Sequence, residues 1–128
     1  MTPDDGETEP RDRSVAGDDG FVIDLRDAGG LVVVDVTGEV DEATRRRLAE
    51  RLDAAVDGAL AERSEVHVDM TGVSFMDSWG LGALLAAHAR AEELGVGFEV
   101  TGASRQVAHL FVVTGVAVDY GWPTFADE

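Results

Sequence analysis

The stretch SFMDSWGLGALL, residues 74–85, places a carboxylate and a hydroxyl side by side at Asp77 and Ser78. Small and aliphatic residues at helical spacing follow, so Ser78 is expected at the start of a helix. A hydroxyl there lies beside free backbone N–H groups and the positive end of the helix dipole, a setting that holds a phosphate group well. Two interpretations of Ser78 follow: it accepts a phosphate from another protein, or it caps the helix and contributes about 1 kcal/mol.

A strand, a sharp turn, a serine and a helix also describe the nucleophile elbow of serine hydrolases, which requires glycine two residues before and two residues after the serine. Gly80 is present, but position 76 is methionine. Such an enzyme also needs a histidine that an acid orients. His88 follows on the same helix, about three turns along, and His109 has no adjacent acid. The sequence therefore disfavours an acyl-transfer enzyme.

Other chemistries are disfavoured in the same way. GLGALL, residues 80–85, starts like a dinucleotide fingerprint but has leucine at the third glycine position. His67, His88 and His109 fall on separate elements without paired ligand spacing, and the chain has no cysteine. It also has no lysine and no glycine-rich phosphate loop, which phosphoryl transfer would need. We therefore expect no catalytic residue, no cofactor and no metal ion.

Trp79 follows Ser78 directly and is predicted to point away from the apolar stripe of its helix. Aromatic side chains exposed at such a position often anchor a protein partner, although they also fold back over a neighbouring loop. The helix carries many small residues, which allow close approach either of another surface or of the sheet beneath. The stripe consists of Leu81, Leu84, Leu85 and Ala91, and the small residues are Gly80, Gly82, Ala83, Ala86 and Ala87.

The elements that must position these residues alternate between strands and helices. Two β-branched runs, residues 21–25 and 31–38, flank the turn RDAGG and predict a hairpin. The later elements are predicted as a helix capped by Asp41, a strand at 65–70, a loop at 71–77, a helix from Ser78 to Gly95, a strand at 96–102, a helix from its cap Ser104 to Gly115, and a short strand in VAVDYGW at 116–122.

The first helix is predicted to be amphipathic, with one apolar stripe and one charged face that solvent covers. The stripe consists of Leu48, Leu52, Ala55, Val56, Ala59 and Leu60, and the charged face of Arg45, Arg46, Glu50 and Asp53. Strands separated by helices of this length pair in parallel. The predicted fold class is therefore α/β, with a four- to five-stranded mixed sheet, mostly parallel after an N-terminal hairpin, flanked by about three to four helices.

The charge of the chain limits its partners. The 128 residues carry a formal net charge of −16, and residues 1–20 contribute seven acids against Arg11 and Arg13. This negative charge repels nucleic acids and anionic membrane surfaces. Two interpretations of it remain: it attracts a protein partner with a basic face, or it serves solubility alone. No apolar run reaches the roughly 20 residues of a membrane helix. We expect a cytoplasmic protein with a disordered acidic tail, residues 1–20, before one domain, residues 21–128.

Three segments resemble the STAS domain, specifically that of the anti-sigma factor antagonists of bacteria. They are TGEVD at 37–41, VDMTGVSFMDSWGLGALL at 68–85 and SRQVAHLFVVTGV at 104–116, and the likeness extends over residues 21–120. The resemblance implies a STAS-like sheet flanked by helices and a binding protein rather than an enzyme. Such proteins bind an anti-sigma factor that is also a serine kinase, and thereby release a sigma factor for transcription. Phosphorylation abolishes the binding, and a PPM-type serine phosphatase restores it.

The resemblance also implies roles for individual residues. Ser78, directly after the matching Asp77, falls at the phosphorylated serine. Gly80 and Leu81 match the helix start that the kinase approaches, and Asp41 matches a position near the same contact face. Trp79 departs from the family, which commonly has serine or threonine there. We therefore expect Asp41, Asp77, Trp79, Gly80 and Leu81 to contact the partner. The alternative is a STAS module that works without phosphorylation, as a scaffold or as a partner subunit of a lipid-transport ATPase.

Overall fold

The computed structural model describes residues 20–124. Within them the chain forms a hairpin, then alternates helices and strands, and ends in two short consecutive helices. The elements are β1 (Val22–Asp27), β2 (Leu31–Val40), α1 (Arg45–Glu62), β3 (Glu65–Met76), α2 (Ser78–Leu94), β4 (Phe98–Ala103), α3 (Arg105–Val113) and α4 (Val116–Tyr120).

One four-stranded sheet has its strands in the order β1-β2-β3-β4. The hairpin β1–β2 is antiparallel, and β2–β3 and β3–β4 are parallel. Alternate residues of the strands enter the core, as a pleated strand requires: Val34 and Val36 on β2, and Val66, Val68 and Met70 on β3, are at most 1% exposed. The predicted α/β fold class, with its mixed sheet and flanking helices, is confirmed.

Helices α1 and α2 pack against each other, and α1 also packs on the sheet. The predicted stripe of α1 is buried from Leu48 to Ala59, but Leu60 is 46% exposed. Arg90 of α2 donates a hydrogen bond to Asp57 of α1 over 2.7 Å. This bond raises the pKa of Arg90, and the nearby charges of Asp57 and Asp53 add to the rise. The two helices are thereby joined at the surface as well as in the core.

Two predicted boundaries are wrong around β3 and the C-terminus. Residues 71–77 were expected as a loop, but β3 continues through Met76, since Val73 and Met76 remain buried and Met76 pairs with Val40 of β2. VAVDYGW was expected as a strand, but its first five residues, Val116–Tyr120, form α4, which ends at its C-cap Gly121. Gly115 starts that helix in the left-handed region, at φ 84°, and its carbonyl accepts the N–H of Asp119 over 2.9 Å.

The helix caps agree with the sequence at two positions and differ at one. Gly95 ends α2 at φ 74°, and Ser104 caps α3 by accepting the N–H of Val107. Asp41 does not cap α1, whose N-cap residue is Thr44. Asp41 instead holds the turn before the helix. The predicted acidic tail lies, apart from Gly20, outside the described residues, and the assignment of residues 21–128 to one domain stays a prediction.

Candidate functional site

The site lies where β2 and β3 end. These strands are parallel, so their carboxyl ends meet at one edge of the sheet, and the N–H of Asp77 donates to the carbonyl of Val40 over 3.1 Å. Each strand is followed by an aspartate and then by a helix. Asp41 and Asp77 therefore lie close together, and with Trp79 they line a shallow cavity of about 400 Å³.

Both aspartates use one carboxylate oxygen to fix the backbone that follows them. Asp41 Oδ1 accepts the N–H groups of Ala43 and Thr44 over 2.9 and 3.2 Å. Asp77 Oδ1 accepts those of Trp79 and Gly80 over 3.0 and 3.1 Å. The N-cap of α2 is therefore Asp77, not Ser78.

Ser78 is the first residue of α2 and is exposed. Within residues 20–124 its hydroxyl makes no hydrogen bond, because Asp77 already satisfies the N–H groups that a capping serine would bind. An exposed hydroxyl at the N-terminus of a helix is accessible to another protein. The capping role considered for Ser78 is thus excluded, and what remains is an uncommitted hydroxyl at the positive end of α2.

Trp79 is 50% exposed beside Ser78. The guanidinium carbon of Arg45 lies 4.5 Å from the centroid of its ring, within the range of a cation–π contact. The ring therefore neither enters the core nor stands free in solvent. It lies against the first turn of α1, and Arg45 covers one of its faces.

A groove of about 640 Å³ runs between α1 and α2 from Ser78. Small residues of α2 form one wall, which explains why this helix needs so few bulky side chains there. Three consecutive arginines of α1 form the other wall. We call the whole cavity the arginine groove. Its lining residues are Glu42, Ala43, Arg45, Arg46, Arg47, Ala49, Ser78, Trp79, Gly82, Ala83 and Ala86.

The amphipathic pattern of α1 predicted only a solvated face for Arg45 and Arg46, whereas both line the groove. A signal for the arginine groove was nevertheless present. Helices α1 and α2 follow adjacent parallel strands, so their N-terminal turns must be neighbours. The residues after TGEVD and after SFMD then face a common space.

The other two predicted contact residues lie beneath this surface. Gly80 is buried, and a Cβ atom there would meet the side chain of Val40 and lie 3.0 Å from its carbonyl oxygen. Leu81 is 6% exposed and belongs to the core. Both residues set the position of the α2 N-terminus against β2, and they leave little area for a partner to contact.

The histidines are not in the arginine groove. His88 packs edge-on against Phe98, Tyr120 and Trp122, with ring centroids 5.0–5.8 Å apart. His67 lies 3.2 Å from a carboxylate oxygen of Glu65 on the same strand. Over residues 20–124, no three acidic or histidine side chains converge in a way that could hold a metal ion.

Comparison with known proteins gives one family and several solved structures. The family model described as "Mlab, STAS domain" matches residues 23–118. No curated protein sequence matches the chain. An anti-sigma factor antagonist from Mycobacterium paratuberculosis is 25% identical with a TM-score of 0.69, and the match covers 88% of this chain and 94% of that one.

Two further likenesses, each under 25% identity, show the fold alone. SpoIIAA, a Bacillus cell fate determinant and anti-sigma factor antagonist, matches in its unphosphorylated and phosphorylated forms at 20% and 21% identity. Each match covers 75% of this chain, with 83% and 86% of those chains and TM-scores of 0.61 and 0.54. The murine anion transporter Slc26a9 matches at 24% identity and a TM-score of 0.62, over 73% of this chain but 15% of that one. Among the helices that the structure describes, none is long and apolar enough to cross a membrane.

Proposed function

Because this chain belongs to the family described as "Mlab, STAS domain", we propose that it is a cytoplasmic anti-sigma factor antagonist of a bacterium, controlled by phosphorylation of Ser78. In the unmodified state it binds an anti-sigma factor that is also a serine kinase, and a sigma factor is freed for transcription. A phosphate on Ser78 ends the binding, and a PPM-type serine phosphatase removes that phosphate.

The single observation that carries this proposal is the exposed hydroxyl of Ser78, which makes no hydrogen bond within residues 20–124. Asp77 caps α2 in its place, so Ser78 is exposed at a helix start without a structural task among the described residues. The likeness to the anti-sigma factor antagonist from Mycobacterium paratuberculosis, which extends over 94% of that chain, supports the same kind of function.

The geometry also gives a physical reason for a switch. Phosphorylation adds a charge of about −1.5 to −2, at the residue next to Asp77, whose carboxylate lines a shallow cavity together with Asp41. A partner docked there would have to desolvate this charge or place its own groups against it, and either requirement weakens binding. The kinase transfers the γ-phosphoryl group of ATP to Ser78 Oγ, whose proton leaves to a base of the kinase, and ADP is released.

Trp79 is the proposed anchor of the complex, together with the exposed parts of Asp41 and Asp77. A half-exposed aromatic ring offers a large apolar area at low cost in side-chain entropy, because Arg45 already holds it in place. We assign Gly80 and Leu81, which are buried, to the packing that orients Ser78 and Trp79.

The test is to incubate the protein with ATP and each anti-sigma factor kinase of the organism that encodes it. We expect one kinase to phosphorylate the chain, with the phosphate located at Ser78 by mass spectrometry and absent from S78A. If no kinase modifies Ser78, and S78A and S78D bind all these factors like the parent chain, the proposed function is wrong.

The match to a STAS domain is compatible with one second candidate, a STAS subunit that acts without phosphorylation beside a lipid-transport ATPase. The two proposals differ in their response to charge at Ser78. A stable complex with an ATPase subunit that S78D leaves unchanged would favour the second candidate. A complex with an anti-sigma factor that S78D dissociates would favour the first.

A further inference from the structure

The arginine groove is a local concentration of positive charge on a strongly acidic chain. Arg45, Arg46 and Arg47 line it on consecutive positions, while the whole protein has a formal net charge of −16. Two arginines outside the groove are each paired with a carboxylate. A guanidinium nitrogen of Arg26 lies 3.0 Å from a carboxylate oxygen of Asp35, and one of Arg90 lies 2.7 Å from a carboxylate oxygen of Asp57. Arg45 and Arg46 form no ion pair with any carboxylate of residues 20–124, so the groove can accept an anionic ligand.

The chain itself enters this region at the start of β1. The guanidinium carbon of Arg47 lies 4.9 Å from the ring centroid of the buried Phe21. Gly20 and Phe21 also pack against Gly38, where a Cβ atom would lie 2.7 Å from the carbonyl oxygen of Gly20. These contacts fix Gly20 and Phe21, the first described residues, beside the arginine wall of the groove.

The residues before this point are acidic. Asp18 and Asp19 come directly before Gly20, and residues 1–19 contain seven acids against Arg11 and Arg13. The groove follows α2 from Ser78 to Ala86, about 12 Å along the helix axis. An extended chain covers about 3.3–3.6 Å per residue, so about four residues span the length of the groove.

We propose that the acidic segment, residues 1–19, docks in the arginine groove of its own chain, with its carboxylates against Arg45 and Arg46. Charge complementarity and the entry point beside Arg47 favour this occupant over a nucleic acid, which the net charge repels. Attachment to the same chain also gives the segment a high effective concentration at the groove. The docked segment lies next to Ser78 and covers Trp79.

This contact goes beyond the proposed function and does not depend on it. If the proposed function also holds, the segment competes with the partner for the surface around Ser78. The contact consists of exposed charge pairs, so it is weak and sensitive to salt. A partner with enough contact area can therefore displace it.

Trp79 reports on the docking directly. The full chain has two tryptophans, and Trp122 is 2% exposed, so a neutral quencher such as acrylamide acts mainly on Trp79. The test variant is D12N/D18N/D19N. The matched control is E62Q/E92Q/E93Q, which removes as many charges at exposed positions near the C-terminal ends of α1 and α2, away from the groove.

In dilute buffer we expect acrylamide to quench the test variant about twice as strongly as the parent chain, and equally in both at about 1 M salt, where the Debye length is about 3 Å. The control variant should resemble the parent, and R46Q, which leaves the contact between Arg45 and Trp79 in place, should be quenched more strongly than the parent. Equal quenching of parent and test variant in dilute buffer overturns the proposal. Protection of Trp79 that depends on protein concentration also overturns it, because the segment would then dock on a second copy.

Discussion

At the scale of single residues, the decisive feature is that Asp77 caps α2 and Ser78 does not. The carboxylate caps α2 by accepting two N–H groups, and the neighbouring hydroxyl is left exposed. A serine that capped the helix would be tied to the fold, and its modification would disturb α2. Because Asp77 takes the cap, Ser78 can change its chemistry while the fold stays intact.

Alanine substitutions at these two positions should therefore differ in their effect on the free energy of unfolding. S78A should leave the free energy of unfolding within about 0.5 kcal/mol of the parent, as at other exposed positions. D77A should lower it by about 1 kcal/mol, because two N–H groups lose their acceptor. Urea denaturation followed by circular dichroism measures both, and D77N, which keeps a capping oxygen, serves as the control. A loss in S78A equal to that in D77A would assign the cap to Ser78.

At this scale the sequence predicted part of the site. It singled out Ser78, Asp77, Asp41 and Trp79, and the structure places all four at the meeting edge of β2 and β3. It could not identify Arg45 as the residue stacked on Trp79. That contact joins two helices distant in sequence, and a charged residue on an amphipathic helix has the same local pattern whether it faces solvent or a groove.

At the scale of elements, the close approach of α2 to β2 sets the position of the site. Gly80 is in contact with Val40, whose carbonyl oxygen also accepts the N–H of Asp77. Gly82, two residues later, faces the open arginine groove, and no atom lies within 4 Å of where its Cβ would be. The two glycines therefore have different reasons to be small.

Alanine substitutions should separate these reasons. G80A should destabilise the fold by about 1–3 kcal/mol, since the added methyl group would clash with the side chain of Val40 and lie 3.0 Å from its carbonyl oxygen. G82A should be neutral or stabilise it by up to about 1 kcal/mol, because alanine favours the helix. Thermal unfolding of both variants measures the difference. If G80A is as stable as G82A, α2 does not depend on close contact with β2.

The succession of elements was predictable because hydrophobic periodicity and glycine caps are local signals. The errors arose where tertiary contacts override these signals. The end of β3 contains a glycine, Gly72, and was predicted as a loop, but parallel pairing with β2 extends the strand to Met76. VAVDYGW has the composition of a strand, but Gly115 turns the chain into α4 and Trp122 anchors the C-terminal segment among the aromatic rings of Phe98 and Phe111.

At the scale of the whole molecule, the acidic charge opposes the compact state. A formal net charge of −16 on 128 residues creates self-repulsion that salt screens. The few ion pairs that the structure describes are exposed and therefore add little to stability. Repulsion should outweigh attraction over the whole surface.

We therefore expect the melting temperature to rise when salt increases from about 0.01 M to about 0.1 M, as the Debye length falls from about 30 to about 10 Å. Differential scanning calorimetry measures this shift. The variant E62Q/E92Q/E93Q, with less charge to screen, should melt higher than the parent at low salt and gain less from added salt. A melting temperature that falls as salt is added would show that attractive pairs dominate instead.

The central claim is that negative charge at Ser78 releases a bound partner, and the affinity of the phosphorylating anti-sigma factor for S78D tests it most directly. The matched control is S64D, which places the same charge before β3, about 36 Å from Ser78 along the strand. By isothermal titration calorimetry, we expect S78D to bind at least about tenfold more weakly than the parent, a loss of about 1.4 kcal/mol, and S78A and S64D to bind like the parent. Equal affinities for S78D and S64D would contradict the account.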